Sequence, residues 1–558
     1  MWTYIALFAF LMVLWTSSAY STNSKKIHPW GKSYLGALSS SPSSSSSPTT
    51  IMNVMGQQDI VHRKMPSPLS PTPTLFAQQQ KIDFYNRKIQ ALATTVMSNH
   101  DRRAGEKAER WLREMMEEQG LPPNALAYTN TIVAWSRSRH PDAAPRAQAL
   151  LDELKELYQS NTKQTAHLQP SKVPYTAVIT AWAKNRHQTA GIRVLDLLQE
   201  MKIANNSFCS PNAITYGACI SAVNGTMALT LLDEVTKRYE EGDMTCRPDT
   251  VVYSSTIAAL AKRQGSYARA NDLLLHMEKM FDDGDDFMKP NAFSYSSAIT
   301  SCWDRKIPPK ECLQRAENIL TRMTQRFENG LSDVRPTVVV YNSFLHVCSN
   351  CESQEAGDKA MELFRKMPCT PDSVTYCTLM TAISRSGNPS CGRIALELLD
   401  DMRQRCNLKP NTFVYGAAIA AQAKCGDAET AERLLTVDMV RDKCLPNTIC
   451  YNSLIAASND AARACRLMQD MYQRGDKFVK PNTVTYNTVL GAMAASSAPP
   501  MTAQALFEDM KRRTAAGENG VKPNHVTYST LVAIWTDTGR GLEARQRVEK
   551  LLDEMSDL

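Results

Sequence analysis

Lys480-Pro481-Asn482-Thr483-Val484-Thr485-Tyr486-Asn487-Thr488-Val489-Leu490 recurs, in close variants, along most of this 558-residue chain. Alignment on the tyrosine gives twelve copies, with Tyr85, Tyr128, Tyr175, Tyr216, Tyr253, Tyr295, Tyr341, Tyr376, Tyr415, Tyr451, Tyr486 and Tyr528 in one slot; twelve of nineteen tyrosines are thus one residue repeated. With that tyrosine as position four, units begin at residues 82, 125, 172, 213, 250, 292, 338, 373, 412, 448, 483 and 525, and complete units run from 35 to 47 residues. Each unit after the first is preceded by a proline and one small polar residue, which closes the unit before: Asn124, Ser171, Asn212, Asp249, Asn291, Thr337, Asp372, Asn411, Asn447, Asn482 and Asn524. A period in this range predicts a stacked solenoid, because one unit can bury its apolar face only against its neighbours.

Within residues 338–372, Tyr341, Phe344, Leu345 and Cys348 are three, four and seven apart, which puts them on one helical face. A second run places Ala360, Met361, Leu363, Phe364 and Met367 on a face of its own, and similar runs recur as Ala505-Leu506 with Met510 and Leu551-Leu552 with Met555. Each unit is therefore expected to be two antiparallel amphipathic helices, with the next proline stopping the second. The fold class is all-α, an α-solenoid superhelix of about twelve helix-turn-helix repeats over residues 82–558. Extra residues in long units, such as 159–169 and 282–288, fall near the second helix's end and are expected to loop outward.

Composition sets the remaining bounds. A net charge of +7 permits a polyanionic partner without requiring one. Fifteen cysteines share no slot, so they read as small core residues in a reducing compartment. The apolar run at 4–15, followed by Ser17-Ser18-Ala19, suits a signal-peptide core at 1–19, although no Lys or Arg precedes it. Residues 20–58 contain no acid but include Lys25, Lys26, Lys32 and a serine tract at 39–47, the composition of a transit peptide; the proline-rich 59–81 then reads as a linker. A signal followed by a transit segment resembles the bipartite presequence of algae with complex plastids. Plastid delivery is expected, with the mitochondrion as the alternative and no membrane segment in the mature form.

Two helical-hairpin families have such an architecture. Tetratricopeptide repeats carry a differently placed Trp, Gly and Tyr set, which these units lack. The Val-Thr-Tyr-Asn-Thr opening, the Lys-Pro-Asn/Asp close and the 35-residue basic length resemble the pentatricopeptide repeat family, over residues 82–558. That resemblance implies single-stranded RNA as partner, one base per repeat. A module of this kind needs an apolar wedge between bases, a small polar side chain facing a base edge, and a cation for phosphate.

Candidates for each recur in register. Position two, the wedge, is Leu126, Val173, Ile214, Val251, Phe293, Val339, Val374, Phe413, Ile449, Val484 and Val526, with Asp83 the exception. Position five is always small: Asn86, Thr129, Thr176, Gly217, Ser254, Ser296, Asn342, Cys377, Gly416, Asn452, Asn487 and Ser529. Position thirteen is basic in Arg137, Lys184, Lys262, Arg385 and Lys424. Each slot has a plainer explanation: core packing at two, helix capping by the closing Asn or Asp, and a charge near a helix end at thirteen. Joint occurrence in one register favours the recognition role.

Under the family's rule, position five and the closing residue of the same unit choose the base. Asn342 with Asp372 resembles the uracil pair. Thr176 with Asn212 and Ser254 with Asn291 resemble adenine pairs; Asn86 with Asn124, Asn452 with Asn482 and Asn487 with Asn524 resemble pyrimidine pairs. Thr129 with Ser171 and Ser296 with Thr337 lack the usual Asn or Asp, and Gly217, Cys377 and Gly416 cannot make the usual contact. The implied RNA, 5′ to 3′, is Y-n-A-(G)-A-n-U-(A)-(A)-Y-Y, with parentheses for poor units.

No catalytic role is expected. Neither a His-x-Glu plus Cys-x-x-Cys pair nor an acidic metal cluster follows the array, and no phosphate-cradling glycine motif is present. Cys348-Ser349-Asn350-Cys351 near His346 lacks a second cysteine pair, and the acidic run at 282–286 lacks a following bidentate Glu, so no metal or other cofactor and no small-molecule substrate is expected. Transcript processing, stability or translation, with protein partners in RNA processing, is the expected setting. The alternative is a protein-interaction scaffold, told apart by whether binding weakens with salt as a polynucleotide contact must.

Overall fold

A proline, which cannot continue a helix, followed by a side chain that accepts hydrogen bonds from free amides, ends one helix and starts the next. The computed structural model follows this punctuation throughout. It describes residues 73–556 apart from short gaps at 100–102, 119, 123, 139, 160–167, 186, 188, 205–207, 332–333, 459, 477 and 539–540. The signal-like and transit-like segments, and the linker up to residue 72, lie outside the described residues. Residues 81–558 form one compact unit, and among the described residues every regular element is helical.

First helices of successive repeats are Ala125–Arg137, Lys172–Lys184, Ala213–Ala222, Thr250–Ala261, Ala292–Thr300, Val338–Cys351, Ser373–Arg385, Thr412–Lys424, Thr448–Ala457, Thr483–Ala495 and His525–Thr538. Each is followed by a second helix, for example Gln354–Lys366, Cys391–Gln404 and Pro500–Ala515. The first hairpin differs. Its helix, Pro73–Asn99, starts well ahead of the expected 82 and runs through that position without a break, so 73–81 is helix and not linker.

Burial follows the periodicity. Phe344, Leu345 and Cys348 are fully enclosed; Ala360 and Phe364 of the partner helix and Met367 just past its end are buried, while Met361 and Leu363 are only half-buried. Successive first helices pack directly on one another, whereas successive second helices barely touch, so the first helices form the more closely spaced, inner side of the stack. Where a second helix comes close to the next first helix, glycine makes room: a Cβ on Gly357 would lie 2.6 Å from Cβ of Ser386. Cysteines are mostly core residues, in keeping with their scatter, but Cys425 is exposed.

The repeated tyrosine is buried because it ties the two helices of a hairpin together. In five hairpins its hydroxyl donates to a carboxylate on the second helix at 2.6–2.7 Å: Tyr128 to Glu153 at 2.7 Å, Tyr216 to Glu234 at 2.6 Å, Tyr376 to Asp401 at 2.6 Å, Tyr451 to Asp470 at 2.7 Å and Tyr486 to Asp509 at 2.7 Å. Tyr295 reaches back instead to Glu278 of the preceding hairpin, at 2.7 Å. Burial alone would raise the pKa of Glu153, but hydrogen bonds from Arg113 and Tyr128 outweigh it and hold the carboxyl below its ordinary 4.5. Second helices of neighbouring units, which barely touch, are bridged by ion pairs between long side chains: Arg113 with Glu153 at 2.6 Å, Lys202 with Glu234 at 2.6 Å, Arg326 with Asp282 at 2.5 Å and Lys359 with Glu317 at 2.7 Å.

Candidate nucleic-acid interface

The first residue of the site to be fixed is the one that closes each unit, because its neighbours are backbone. Oδ1 of Asn212 accepts from the amide of Thr215 at 3.0 Å, Oδ1 of Asp372 from that of Thr375 at 2.8 Å, and Oδ1 of Asn482 from that of Thr485 at 3.1 Å. Asn124, Ser171, Asp249, Asn291, Asn411, Asn447 and Asn524 cap the following helix in the same manner. Thr337 is the exception: it makes no side-chain cap, and its buried Oγ1 has no hydrogen-bond partner. Capping and presentation are therefore compatible. With Oδ1 committed inward, an Asn has its Nδ2 donor as the remaining polar atom, and an Asp its Oδ2 acceptor. An outward donor matches the ring-nitrogen acceptor of cytosine or adenine; an outward acceptor matches the ring N–H of uracil or guanine.

Position five sits beside that cap. Nδ2 of Asn342 donates to Oδ1 of Asp372 at 3.2 Å, and Nδ2 of Asn487 to Oδ1 of Asn524 at 3.1 Å, so in these two units the paired side chains touch directly. Asn86, Gly217, Ser254, Ser296, Asn342, Cys377 and Gly416 are buried, and Thr129, Thr176, Asn452 and Asn487 half-buried, by the hairpin that follows. Ser529, in the last described hairpin, is exposed. Ser296 turns back to the carbonyl of Phe293 in its own helix at 3.0 Å. It does not meet Thr337.

Position two stands outside the core. Leu126 is 54% exposed and Val526 55%; Val173, Ile214, Val251 and Phe293 are also exposed, and Val339, Val374, Phe413, Ile449 and Val484 half-buried. These side chains lie within one helical turn of position five, on the side where first helices stack closely. Core packing does not account for them. A row of apolar side chains, exposed at six repeats and half-buried at five, is a surface that gains from being covered.

The cations at thirteen have structural work first. Nη1 of Arg137 donates to the carbonyl of Ala93 at 2.5 Å, Nζ of Lys184 to that of Ser136 at 3.0 Å, and Nη1 of Arg385 to that of Ser349 at 3.0 Å. Each carbonyl belongs to the preceding first helix, near its C-terminus for Ser136 and Ser349, where positive charge is favoured. Lys184, Lys262 and Lys424 are exposed. All five lie about 12 Å along the helix from position five, at eight residues of 1.5 Å.

One set of residues was not singled out from sequence. Position three of the following hairpin touches both members of a pair: Oγ1 of Thr485 donates to Oδ1 of Asn452 at 2.8 Å and lies 3.1 Å from Oδ1 of Asn482. Its signal is present in the quoted stretch as the second threonine of Thr-Val-Thr-Tyr. Near the Cys348 spacing, burial and the charge of Arg385 push His346 down to about 4, leaving it neutral. Among the described residues no cluster of three or more His, Cys, Asp or Glu is placed to hold a metal ion, and no helix is long and apolar enough to cross a membrane.

Comparison with known proteins finds the pentatricopeptide repeat domain model at residues 162–226, 328–386 and 397–461, and a second model, the PPR repeat family, at 481–533. A chloroplastic pentatricopeptide repeat-containing protein of Arabidopsis thaliana is 30% identical over 166 residues, 29% of this chain and 31% of that protein. A mitochondrial one from the same plant is 28% identical over 188 residues, 32% of this chain and 42% of that protein. A small ribosomal subunit protein of Arabidopsis thaliana is 26% identical over 163 residues, 28% of this chain and 37% of that protein. The chain thus spans less than half the length of these relatives. Among solved structures, the pentatricopeptide repeat protein PPR10 in complex with an 18-nt psaJ RNA element is 18% identical, with 85% of this chain and 74% of that one covered and a TM-score of 0.35.

Proposed function

We propose, from the premise that this chain is a pentatricopeptide repeat protein, that it binds single-stranded RNA along the first-helix side, one nucleotide to a hairpin, and acts by occupying its transcript. The observation that carries this reading is the shared register of three features. Exposed or half-buried apolar side chains at two in eleven hairpins, polar pairs at five and the closing residue in eight, and cations at thirteen in five all keep one register of the repeat. A base would slide between successive position-two side chains, its edge meeting the pair and its phosphate the cations, Arg137, Lys184, Lys262, Arg385 and Lys424. An organelle is the proposed setting, since relatives are named chloroplastic or mitochondrial; the amino-terminal composition favours the plastid. Bound there, the protein would block exonucleases, hold a hairpin open or recruit processing factors.

Titration of purified protein with the RNA Y-n-A-(G)-A-n-U-(A)-(A)-Y-Y and with its complement tests the reading. The first is expected to bind at least about tenfold tighter, and both should weaken with salt at a log-log slope of about 0.7 per neutralised phosphate. Equal affinity would refute the base assignments; no binding to any unpaired RNA at low ionic strength would refute the function. The double substitution Asn342→Thr with Asp372→Asn exchanges an outward acceptor for an outward donor and shortens position five. Preference at the nucleotide facing that hairpin should move from U to A by about tenfold, within the usual range for one base contact, in a four-base competition at that nucleotide.

A further inference from the structure

Five hairpins carry a hydroxyl at position three: Thr215, Ser294, Thr375, Thr485 and Thr527, all fully buried. Each sits against the polar pair of the preceding unit. Oγ1 of Thr215 is 2.8 Å from Oγ1 of Thr176 and 2.9 Å from Oδ1 of Asn212. Oγ of Ser294 is 2.8 Å from Oγ of Ser254 and 3.1 Å from Oδ1 of Asn291. Oγ1 of Thr527 is 2.7 Å from Oδ1 of Asn487 and 3.1 Å from Oδ1 of Asn524, matching the Thr485 arrangement. Thr375 holds Oδ1 of Asp372 at 2.9 Å, and Asn342 closes the triangle on the same oxygen. In four of these, the hydroxyl oxygen also accepts the closing residue's own amide: Asn291, Asp372, Asn482 and Asn524, each at 3.1 Å.

The other junctions have Ala127, Pro174, Val252, Val340, Val414 or Cys450 at position three. There the pair is loose or absent. Gly217, Cys377 and Gly416 offer no hydroxyl or amide; Oδ1 of Asn86 and Oγ1 of Thr337 are buried without partners, as is Oδ1 of Asn342 beside the Thr375 junction, and Ser296 bonds its own helix. A hydroxyl follows five of the eight units whose two positions are both polar, the exceptions being Asn86 with Asn124, Thr129 with Ser171 and Ser296 with Thr337, and none of the units with Gly or Cys at five.

We infer that position three is a positioning residue for the base contact of the preceding hairpin, and that sharp base discrimination is confined to the hairpins beginning at 172, 250, 338, 448 and 483. In the 448 and 483 hairpins the hydroxyl donates its one proton to Oδ1 of the Asn at five and accepts the closing residue's backbone amide, while that residue's own Oδ1 is held by the amide of position three, which fixes the outward edge of the amide at five before a base arrives. Without it, an Asn at five is free to flip, and a flipped amide presents carbonyl where N–H was, so it accepts the wrong base. The remaining hairpins act as spacers that stack a base without choosing it. This rests on the RNA-binding reading above.

The test uses the full chain with Thr485→Val and Thr485→Ser. Valine already occupies position three as Val252, Val340 and Val414, so the helix accepts it; melting temperature verifies folding. With all four bases placed opposite the hairpin that begins at 448, wild type and Thr485→Ser should favour pyrimidine by about tenfold. Thr485→Val should lose that preference to within about twofold, keep its preference opposite the 338 hairpin, and keep its affinity for the pyrimidine RNA within about threefold. Base changes opposite the 292, 373 and 412 hairpins should shift wild-type affinity by less than about threefold. Undiminished discrimination by a folded Thr485→Val, or strong discrimination opposite those three, overturns the inference alone. A wild type that binds no RNA, or binds it without any base preference, overturns the reading beneath it as well.

Discussion

Replacing Leu126, Val173, Ile214, Phe293 and Val526 together by alanine is expected to lower RNA affinity by about a thousandfold or more while leaving the melting temperature almost unchanged. The two halves of that expectation come from the same fact, the exposure of these side chains in the free protein. An exposed side chain makes few contacts that folding could lose, and such surface substitutions cost within about 0.5 kcal/mol each. A side chain wedged against a base loses its contacts only in the complex. Base stacking on a side chain contributes about 1–3 kcal/mol per base; taking the low end for aliphatic wedges, five sites give about 5 kcal/mol, or between a thousandfold and ten-thousandfold. Fluorescence anisotropy with a labelled RNA and a thermal melt on the same samples separate the two halves. Affinity within about threefold of wild type would mean that bases do not enter this row. A collapse in melting temperature would mean that the row belongs to the fold.

Much of this was legible before any coordinates. Proline followed by Asn or Asp marks a boundary because both halves of the mark are backbone chemistry: proline lacks the amide a continuing helix needs, and the next side chain supplies an acceptor to a new one. Side-chain periodicity then assigned Phe344, Leu345 and Cys348 to the buried face. The first hairpin was misjudged at its start because Pro73 and its neighbours were read as breakers, whereas proline is tolerated in a helix's first turn.

What sequence could not supply is which atoms across a junction meet. The partner of each buried tyrosine, Glu153, Asp401 or Asp509 for example, lies at a separation that changes with every loop insertion, so no fixed spacing reveals it. The same holds for ion pairs between second helices. For Arg137, Lys184 and Arg385, a carbonyl on the preceding first helix becomes visible as partner only once hairpins are stacked. Position three was hidden for another reason. Its variation between hydroxyl and apolar side chains looks like noise within one unit, and correlates with something only when compared with position five of the unit before.

Phe344→Ala is expected to split unfolding into two steps. Phe344 is completely buried in the helix Val338–Cys351, amid the array, and truncating an enclosed phenylalanine costs about 3–5 kcal/mol through lost transfer energy and the cavity left behind. In a molecule with one central core that cost would be shared by every residue. Here each hairpin touches only its neighbours, so stability is close to a sum of local and nearest-neighbour terms, and the loss stays near its source. Amide exchange should therefore accelerate about a hundredfold or more in 338–366, as 3 kcal/mol implies, less in the hairpins on either side, and hardly at all in 125–154 or 483–510. The weakened hairpin also carries Asn342 and Asp372, so binding should lose its preference for U at one nucleotide before it loses affinity. Uniform acceleration across the chain, with one sharp denaturation step, would show that the hairpins stand or fall together and that nearest-neighbour stacking does not describe this protein.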